Sequence, residues 1–341
     1  MPTHDIIVVG ASAGGVEALS QLVATFPSDF PAAVFIVLHI PAQATSVLPQ
    51  ILGRVGPLPA AHAVDGVRIQ QGNIYIAPPD HHLIVEQGRV RVAYGPAENR
   101  HRPAVDPLFR SAALAYGPRV VGVILSGTLD DGSAGMMSVK AHSGIAVVQD
   151  PAEALYDGMP LNVMKYVDVD YCLPVAKIGA VLRELAAEPV VGGEKMPDDK
   201  DGEYEVEAAE LSTYALVGDE RPGVPSVYAC PDCHGTLWEI DDGNIRRYRC
   251  RVGHAYTEES LLAAHSESLE RALWAALRAL EENASILRRT AERARETGMD
   301  AAASRFEERC REMQLHAESI RQVLLNSLNG ERPIDRAGNA A

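Results

Sequence analysis

The sequence predicts an α/β fold: a doubly wound, mainly parallel sheet, followed by a small zinc-ribbon-like module and an α-helical hairpin. Three observations carry this expectation. From Met1 to about Glu188, short β-branched runs alternate with stretches of helical periodicity. Cys230-Pro-Asp-Cys233 is then answered sixteen residues later by Cys250-Arg-Val-Gly-His254. From Thr257 to Asn329, apolar residues step by three and four, as in paired helices.

The first unit opens on Ile6 to Val9, a β-branched run suited to a strand buried on both faces. Gly10 breaks it, and Val16, Leu19, Leu22 and Val23 continue at helical spacing. Ser12 sits in the turn, with the N–H groups of Ala13, Gly14 and Gly15 at a helix N-terminus that favours negative charge. Val34 to His39 is a second buried strand, with His39 at its C-terminal end. Gly72 to Tyr94 reads as two or three short strands around the turn Glu86-Gln-Gly-Arg89. Asn99 to Asp106 is a charged loop entering a helix that runs to about Tyr116. Arg119 to Ser126 is an apolar strand that breaks at Gly127-Thr-Leu-Asp-Asp-Gly132, where a helix follows. Ile145 to Gln149 is another strand, and Val175 to Ala187 a closing helix. Such strand–helix units, joined by right-handed crossovers, give a parallel sheet that binds ligands at its carboxyl edge.

Residues 189–224 are rich in acids (Asp198, Asp199, Asp201, Glu203, Glu205, Glu207) and read as a solvated linker. In the segment 225–256, Cys230, Cys233, Cys250 and His254 have the spacing of a tetrahedral zinc site, with His234 a weaker competitor. Thr236 to Ile240 and Ile245 to Arg249 form a hairpin around Asp241-Asp-Gly-Asn244. In 257–329, Leu262, Leu269, Leu273, Leu277, Leu280, Ala284 and Leu287 line one seam. Phe306, Cys310, Met313, Ala317, Ile320 and Leu324 line the other, with the stop at Thr297-Gly298 and a new N-cap at Asp300. These helices pack on each other or support a dimer. Residues 330–341 are expected to be disordered.

A chain of 341 residues with net charge −15 holds one large and one smaller domain, and the charge argues against nucleic acid or an anionic membrane as partner. No apolar run reaches transmembrane length and the N-terminus lacks signal-peptide features, so the expected location is the cytoplasm. In a reducing compartment, three cysteines clustered near Cys230 point to metal rather than a disulfide.

The chemistry converges on the strand ends. Ser12, His39 and Asp131 each end or follow an apolar strand, so a parallel sheet brings them to one edge. Together they suit acyl transfer: the imidazole takes the hydroxyl proton and the carboxylate fixes and stabilises the imidazole. Taken singly, each has a structural explanation as an N-cap, a strand-end residue or a turn.

Gly10-Ala-Ser-Ala-Gly-Gly15, Leu38-His-Ile-Pro41, Ile74-Tyr-Ile-Ala-Pro-Pro79, Asn99-Arg-His-Arg-Pro-Ala-Val-Asp106, Gly122-Val-Ile-Leu-Ser-Gly127, Asp131-Gly132 and Gly158-Met-Pro160 occur in that order between Asp5 and Leu185. The set resembles the catalytic domain of the chemotaxis protein-glutamate methylesterases. The resemblance implies Ser12 as nucleophile, His39 as general base and Asp131 as its partner. It also implies hydrolysis of γ-glutamyl methyl esters on chemoreceptor helices, with deamidation of receptor glutamines by some members and no catalytic cofactor. Ala13 and Gly14 are then the oxyanion candidates. Thr128 stands where the family usually has a methionine associated with that site, and Arg100 and Arg102 flank the presumed substrate groove. The family's usual N-terminal receiver domain has no counterpart before Asp5, so control is expected to be absent or supplied in trans. On this reading the C-terminal region is a recruitment module carrying a structural Zn2+, and residues 1–188 act alone on small esters.

Two other functions compete. A nucleotide-binding protein would want an acidic residue at the end of the second strand, where His39 stands, and the Tyr-x-x-x-Lys pair of short-chain reductases is missing. An adaptor built on a degenerate esterase is opposed by the intact Ser, His and Asp set.

Overall fold

A computed structural model describes residues 2–190, 199–211, 222–243 and 245–330. The β-branched opening run forms β1 (Ile6–Ala11), followed by α1 (Gly15–Ala24), β2 (Ala33–Leu38), α2 (Leu48–Val55), β3 (Ala60–His62) and β4 (Ile74–Ile76). A hairpin of β5 (His82–Glu86) and β6 (Arg89–Ala93) leads to α3 (Val105–Tyr116) and β7 (Val120–Ile124). Next come α4 (Ser133–Ala141), β8 (Ile145–Gln149), α5 (Gly158–Tyr166), β9 (Tyr171–Leu173) and α6 (Val175–Ala187).

Seven of these strands make one sheet in the order β3-β4-β2-β1-β7-β8-β9, with every pairing parallel. β1 is buried throughout because helices cover both faces of the sheet. Its side chains alternate: Ile7, Val9 and Ala11 pack with Leu19, Leu22 and Ile178 from α1 and α6, while Ile6 and Val8 pack with Leu108, Phe109 and Met136 from α3 and α4. The chain leaves β1 toward β2 on one side and returns to β7 on the other. That reversal opens a crevice at the strand carboxyl ends.

The acidic segment departs from the linker expectation. Its described part, 199–211, holds α7 (Lys200–Ala209), capped by the Asp199 side chain accepting the Gly202 N–H. Val206 and Ala209 pack on Ile84 and Ala93 of the β5–β6 hairpin. Glu205 is buried and meets Arg110, Arg247 and Arg249. These partners come from other elements, which is why a local composition reading sees only solvated charge.

The cysteine-bearing segment is a four-stranded antiparallel sheet of β10 (Val224–Ala229), β11 (Thr236–Asp241), β12 (Arg246–Cys250) and β13 (Ala255–Thr257), where the sequence suggested only the central hairpin. Two compact units divide the chain at Leu262, and this sheet belongs to the first. The loop before α3 runs along β13: Asn99 N–H donates to Ala255 O at 2.8 Å and Ala255 N–H to Ala97 O at 3.3 Å. Beside them Glu98, Glu205, Arg110 and Arg249 form a buried ion cluster, which Arg247 borders through its pair with Glu205. Burial alone would raise the Glu98 carboxyl, but Arg110 and Arg249 outweigh it and hold it below its usual range.

Beyond β13 come α8 (Glu258–Glu296) and α9 (Asp300–Gly330), broken at Gly298, whose φ of 74° closes the first helix. In the second unit, Leu273, Leu277 and Leu280 pack against Ala317, Ile320 and Leu324 as the spacing predicts. Leu262 and Leu269, expected on the same seam, are exposed. The tail expected to be disordered lies, from Glu331 onward, outside the described residues. Among the described residues no helix is long and apolar enough to cross a membrane.

Candidate active site

Ser12 directly follows β1 in a tight turn. Its N–H donates to Ser126 O at 2.9 Å, and its carbonyl accepts the Gly15 N–H at 2.9 Å. Gly14 holds a φ of 71°, and a Cβ there would lie 2.7 Å from Ser126 Oγ, so the turn requires glycine. The neighbouring strand end requires another: a Cβ on Gly127 would stand 2.1 Å from Met159 Sδ and 2.9 Å from Ser12 Cβ. The serine is thus presented at the sheet edge by two backbones that approach too closely for side chains.

His39 follows β2 at the same edge. Its Nε2 lies 2.7 Å from Asp131 Oδ2, and its side chain is 4% exposed. Asp131, after β7, also accepts the Val105 N–H at 2.7 Å and the Asn99 Nδ2–H at 2.9 Å. Burial alone would raise the Asp131 carboxyl, but the His39 hydrogen bond and charge and the backbone donor outweigh it, so the group stays ionised. The carboxylate fixes the tautomer: Nε2 carries the proton and Nδ1 is left as the base. Nδ1 is buried and has no hydrogen-bond partner, and Ser12 and His39 line one cavity. No hydrogen bond joins Ser12 Oγ to Nδ1, a contact that commonly tightens only with substrate bound.

That cavity, about 750 Å³, collects several of the residues picked from the sequence. Ser12, Ala13, His39, Arg100 and Arg102 line it. Arg102 is committed to Asp80 and Gly95 O and lies over the Tyr94 ring, so it shapes the wall rather than offering a free cation. Gly14 sets the turn behind the lining. Thr128 is exposed and is not among the cavity-lining residues, while Gly127 before it lies against Ser12.

Sequence reasoning passed over several members of the site. His101 stacks on His39 with ring centroids 3.6 Å apart, and burial together with the His39 charge pulls its pKa down to about 3. It is therefore a neutral imidazole against the base. Asn99 bridges Asp131 and Asp106, and Asp106 accepts the Gly132 and Gly135 N–H groups. Burial and the Asp131 charge raise the Asp106 carboxyl. All three lie in the Asn99–Asp106 motif, but their roles depend on contacts with His39, with Asp131 and with the start of α4.

Asp232 and His254, from the four-stranded sheet, complete the cavity wall. His254 also belongs to a cluster with Cys230, Cys233 and Cys250 whose donor atoms all lie within 4.8 Å of one another. Cys233 Sγ is 3.5 Å from Cys250 Sγ, and His254 Nδ1 is 3.7 Å and 3.5 Å from the sulfurs of Cys230 and Cys250. Zinc–sulfur bonds of about 2.3 Å imply edges of about 3.5–3.8 Å in a tetrahedron. The donor set therefore fits a Cys3His metal site. His254 Nε2 faces Asp232 Oδ2 at 4.0 Å, the side on which a metal-bound imidazole commonly meets a carboxylate. His234 is exposed and outside the cluster.

The fold and this edge define an α/β protein with a serine, a histidine and a carboxylate at the ends of adjacent parallel strands. Residues 7–182 match the family model described as CheB methylesterase, and the chain belongs to that family. It is 34% identical over 183 residues to a putative protein-glutamate methylesterase/protein-glutamine glutaminase of Leptospira interrogans, covering 53% of this chain and 95% of the relative. It is 40% identical over 192 residues to a protein-glutamate methylesterase/protein-glutamine glutaminase of Ralstonia nicotianae, covering 54% of this chain and 50% of the relative. The Thermotoga maritima CheB methylesterase catalytic domain superposes with a TM-score of 0.51 at 34% identity, covering 53% of this chain and 98% of that structure. The family match ends before the Cys3His sheet and the helical hairpin.

Proposed function

We propose that the chain is a serine-dependent protein-glutamate methylesterase that acts on methylated chemoreceptors or related signalling proteins. The observation that carries the reading is the buried pair His39 Nε2–Asp131 Oδ2 at 2.7 Å, which leaves Nδ1 unpartnered on a residue that lines one cavity with Ser12. In the first half-reaction, Nδ1 takes the Ser12 Oγ proton as Oγ attacks the γ-ester carbonyl. The oxyanion is met by backbone N–H groups of the turn, for which Ala13 and Gly14 are the candidates. The imidazolium then protonates the departing methoxide and methanol leaves. Water, deprotonated by the same nitrogen, cleaves the acyl-enzyme to glutamate. A receptor glutamine follows the same path with ammonia as leaving group, which accounts for the second activity named for the relatives.

The Cys3His cluster holds a structural zinc ion in this reading, about one per chain, with three thiolates and Nδ1 of His254 as ligands. Metal analysis of freshly reduced protein measures it, and protein without zinc would remove it. For the esterase, Ser12→Ala is expected to lower methanol release from methylated receptor by about 10⁴–10⁶ in kcat while the fold survives. Activity within tenfold of the parent would reject the assignment.

A further inference from the structure

The loop that carries His101 and Asn99 is contacted from outside the region that matches the family model. Asn99 and Arg100 both have left-handed backbones, with φ of 49° and 71°, an unfavourable state for arginine that persists only where the surroundings impose it. They form the tip of a turn closed by the Glu98 and His101 main chains, with bonds of 3.1 and 2.8 Å, and β13 lies along that turn through the paired main-chain bonds of Ala97 and Asn99 to Ala255.

The donors and acceptors around Asn99 fix which way its amide faces. Asn99 is buried and spends both amide hydrogens on carboxylates: Asp131 Oδ1 at 2.9 Å and Asp106 Oδ2 at 2.8 Å. Its Oδ1 needs donors from the opposite side. Thr257 N–H and Ser260 Oγ, both at 3.1 Å and both fully or nearly fully buried, stand there. A hydroxyl has one hydrogen to give. The Thr257 hydroxyl gives its own to Asp130 Oδ1 at 2.7 Å and accepts the Ser260 N–H, and the Ser260 hydroxyl, which accepts the Thr257 N–H at 2.9 Å, has Asn99 Oδ1 at 3.1 Å as an acceptor beside Thr257 Oγ1 at 2.9 Å and Thr257 O at 3.3 Å. Turned the other way, the amide would set its oxygen against two carboxylates. The donors at 257 and 260 thus choose the amide orientation that supports Asp131.

Thr257 and Ser260 are three and six residues beyond His254, a member of the Cys3His cluster, and β13 between them is paired to β12, which ends on Cys250. We propose that the Cys3His module is a working part of the esterase: a metal bound at Cys230, Cys233, Cys250 and His254 fixes β13 and Ser260, and through them the positioning residue Asn99 that holds the catalytic carboxylate. The inference rests on the esterase reading above. It replaces the expectation of a detached recruitment module whose metal is irrelevant to hydrolysis.

The test uses the full chain and a small ester such as p-nitrophenyl acetate, with hydrogen exchange of residues 97–102 as a second readout. Removing metal under reducing conditions should lower kcat about tenfold or more with KM unchanged, and zinc should restore it; perturbing a supporting shell commonly costs about 10–100-fold. Exchange at 97–102 should rise in parallel. Ser260→Ala should lower kcat likewise, and Ser260→Thr, which returns the hydroxyl, should recover most of it. If Ser260→Ala does not fold, the metal arm decides alone. Unchanged kcat after metal loss, with or without faster exchange, overturns the proposal. Hydrolysis that survives Ser12→Ala would instead reject the esterase reading beneath it, so the two failures are told apart.

Discussion

The sheet edge and the Cys3His module meet at one cavity but are built in opposite ways. At the edge, Ser12, His39 and Asp131 are delivered by three adjacent parallel strands, Ser12 and His39 directly at the strand ends and Asp131 in the loop after β7. The module buries Leu237, Tyr248 and Tyr256 and is held to the rest by polar contacts reaching far along the chain: Arg249 to Glu98, Thr257 to Asp130, Ser260 to Asn99. The edge has its geometry from backbone topology and from the glycines that let its turns approach closely. The module has its geometry from buried charges and hydroxyls, where one substitution leaves a partner uncompensated. Chemistry should therefore be sensitive at the edge residue by residue, and stability sensitive at the seam between the two.

The largest expected effect lies at the edge. Asp131→Asn should cost about 10⁴ in kcat, because an amide imposes the wrong tautomer on His39. Asp130→Asn, one residue away but bonded to Thr257, should cost less than about tenfold. Kinetics of the two variants on a small ester check this, and equal losses would erase the distinction between edge and seam.

The seam comes next. Glu205→Gln leaves Arg247 and Arg249 buried with one carboxylate partner fewer, and breaking a buried ion pair costs about 3–5 kcal/mol. Denaturant unfolding and limited proteolysis between α7 and β12 should register the loss. Stability within about 1 kcal/mol of the parent would mean that the cluster does not hold the module.

A comparable effect comes from pH. Burial, with the charges of Glu259 and Asp131, pushes the Asp130 carboxyl up to about 7 despite its bond from Thr257. The folded chain then binds a proton between pH 4 and 7 that the unfolded chain has released. This carboxyl's contribution to stability is full below about pH 4 and is lost as pH rises toward 7, by up to about 1.4 kcal/mol per unit. Asp130→Asn should flatten that part of the stability profile, and an unchanged slope would count against it. Smallest of all, Thr128→Ala should stay within about threefold of the parent, under 1 kcal/mol in barrier, since Thr128 is exposed outside the cavity.

How legible each region was from the sequence obeys the same division. Strand ends are local: Gly10, His39 and the Gly127–Gly132 break each mark where an apolar run stops, and the parallel topology does the rest. The ligand spacing of Cys230, Cys233, Cys250 and His254 is local too, and the four side chains converge. By contrast, α7 was hidden because its acids look solvated until Arg110, Arg247 and Arg249 arrive from elsewhere. Asn99 and Ser260 lie 161 positions apart, and no periodicity connects them. His101 stood inside a motif already noted, but only the fold brings its ring against His39.

The central claim, that Ser12 at the sheet edge is the nucleophile, is tested most directly by trapping it. Full-length protein treated with a fluorophosphonate should carry one phosphonate per chain, and peptide mass mapping should place it on Ser12. Labelling should fall with His39→Gln and vanish with Ser12→Ala. An adduct on any other serine, or a protein that hydrolyses esters yet leaves Ser12 unmodified, would contradict the account.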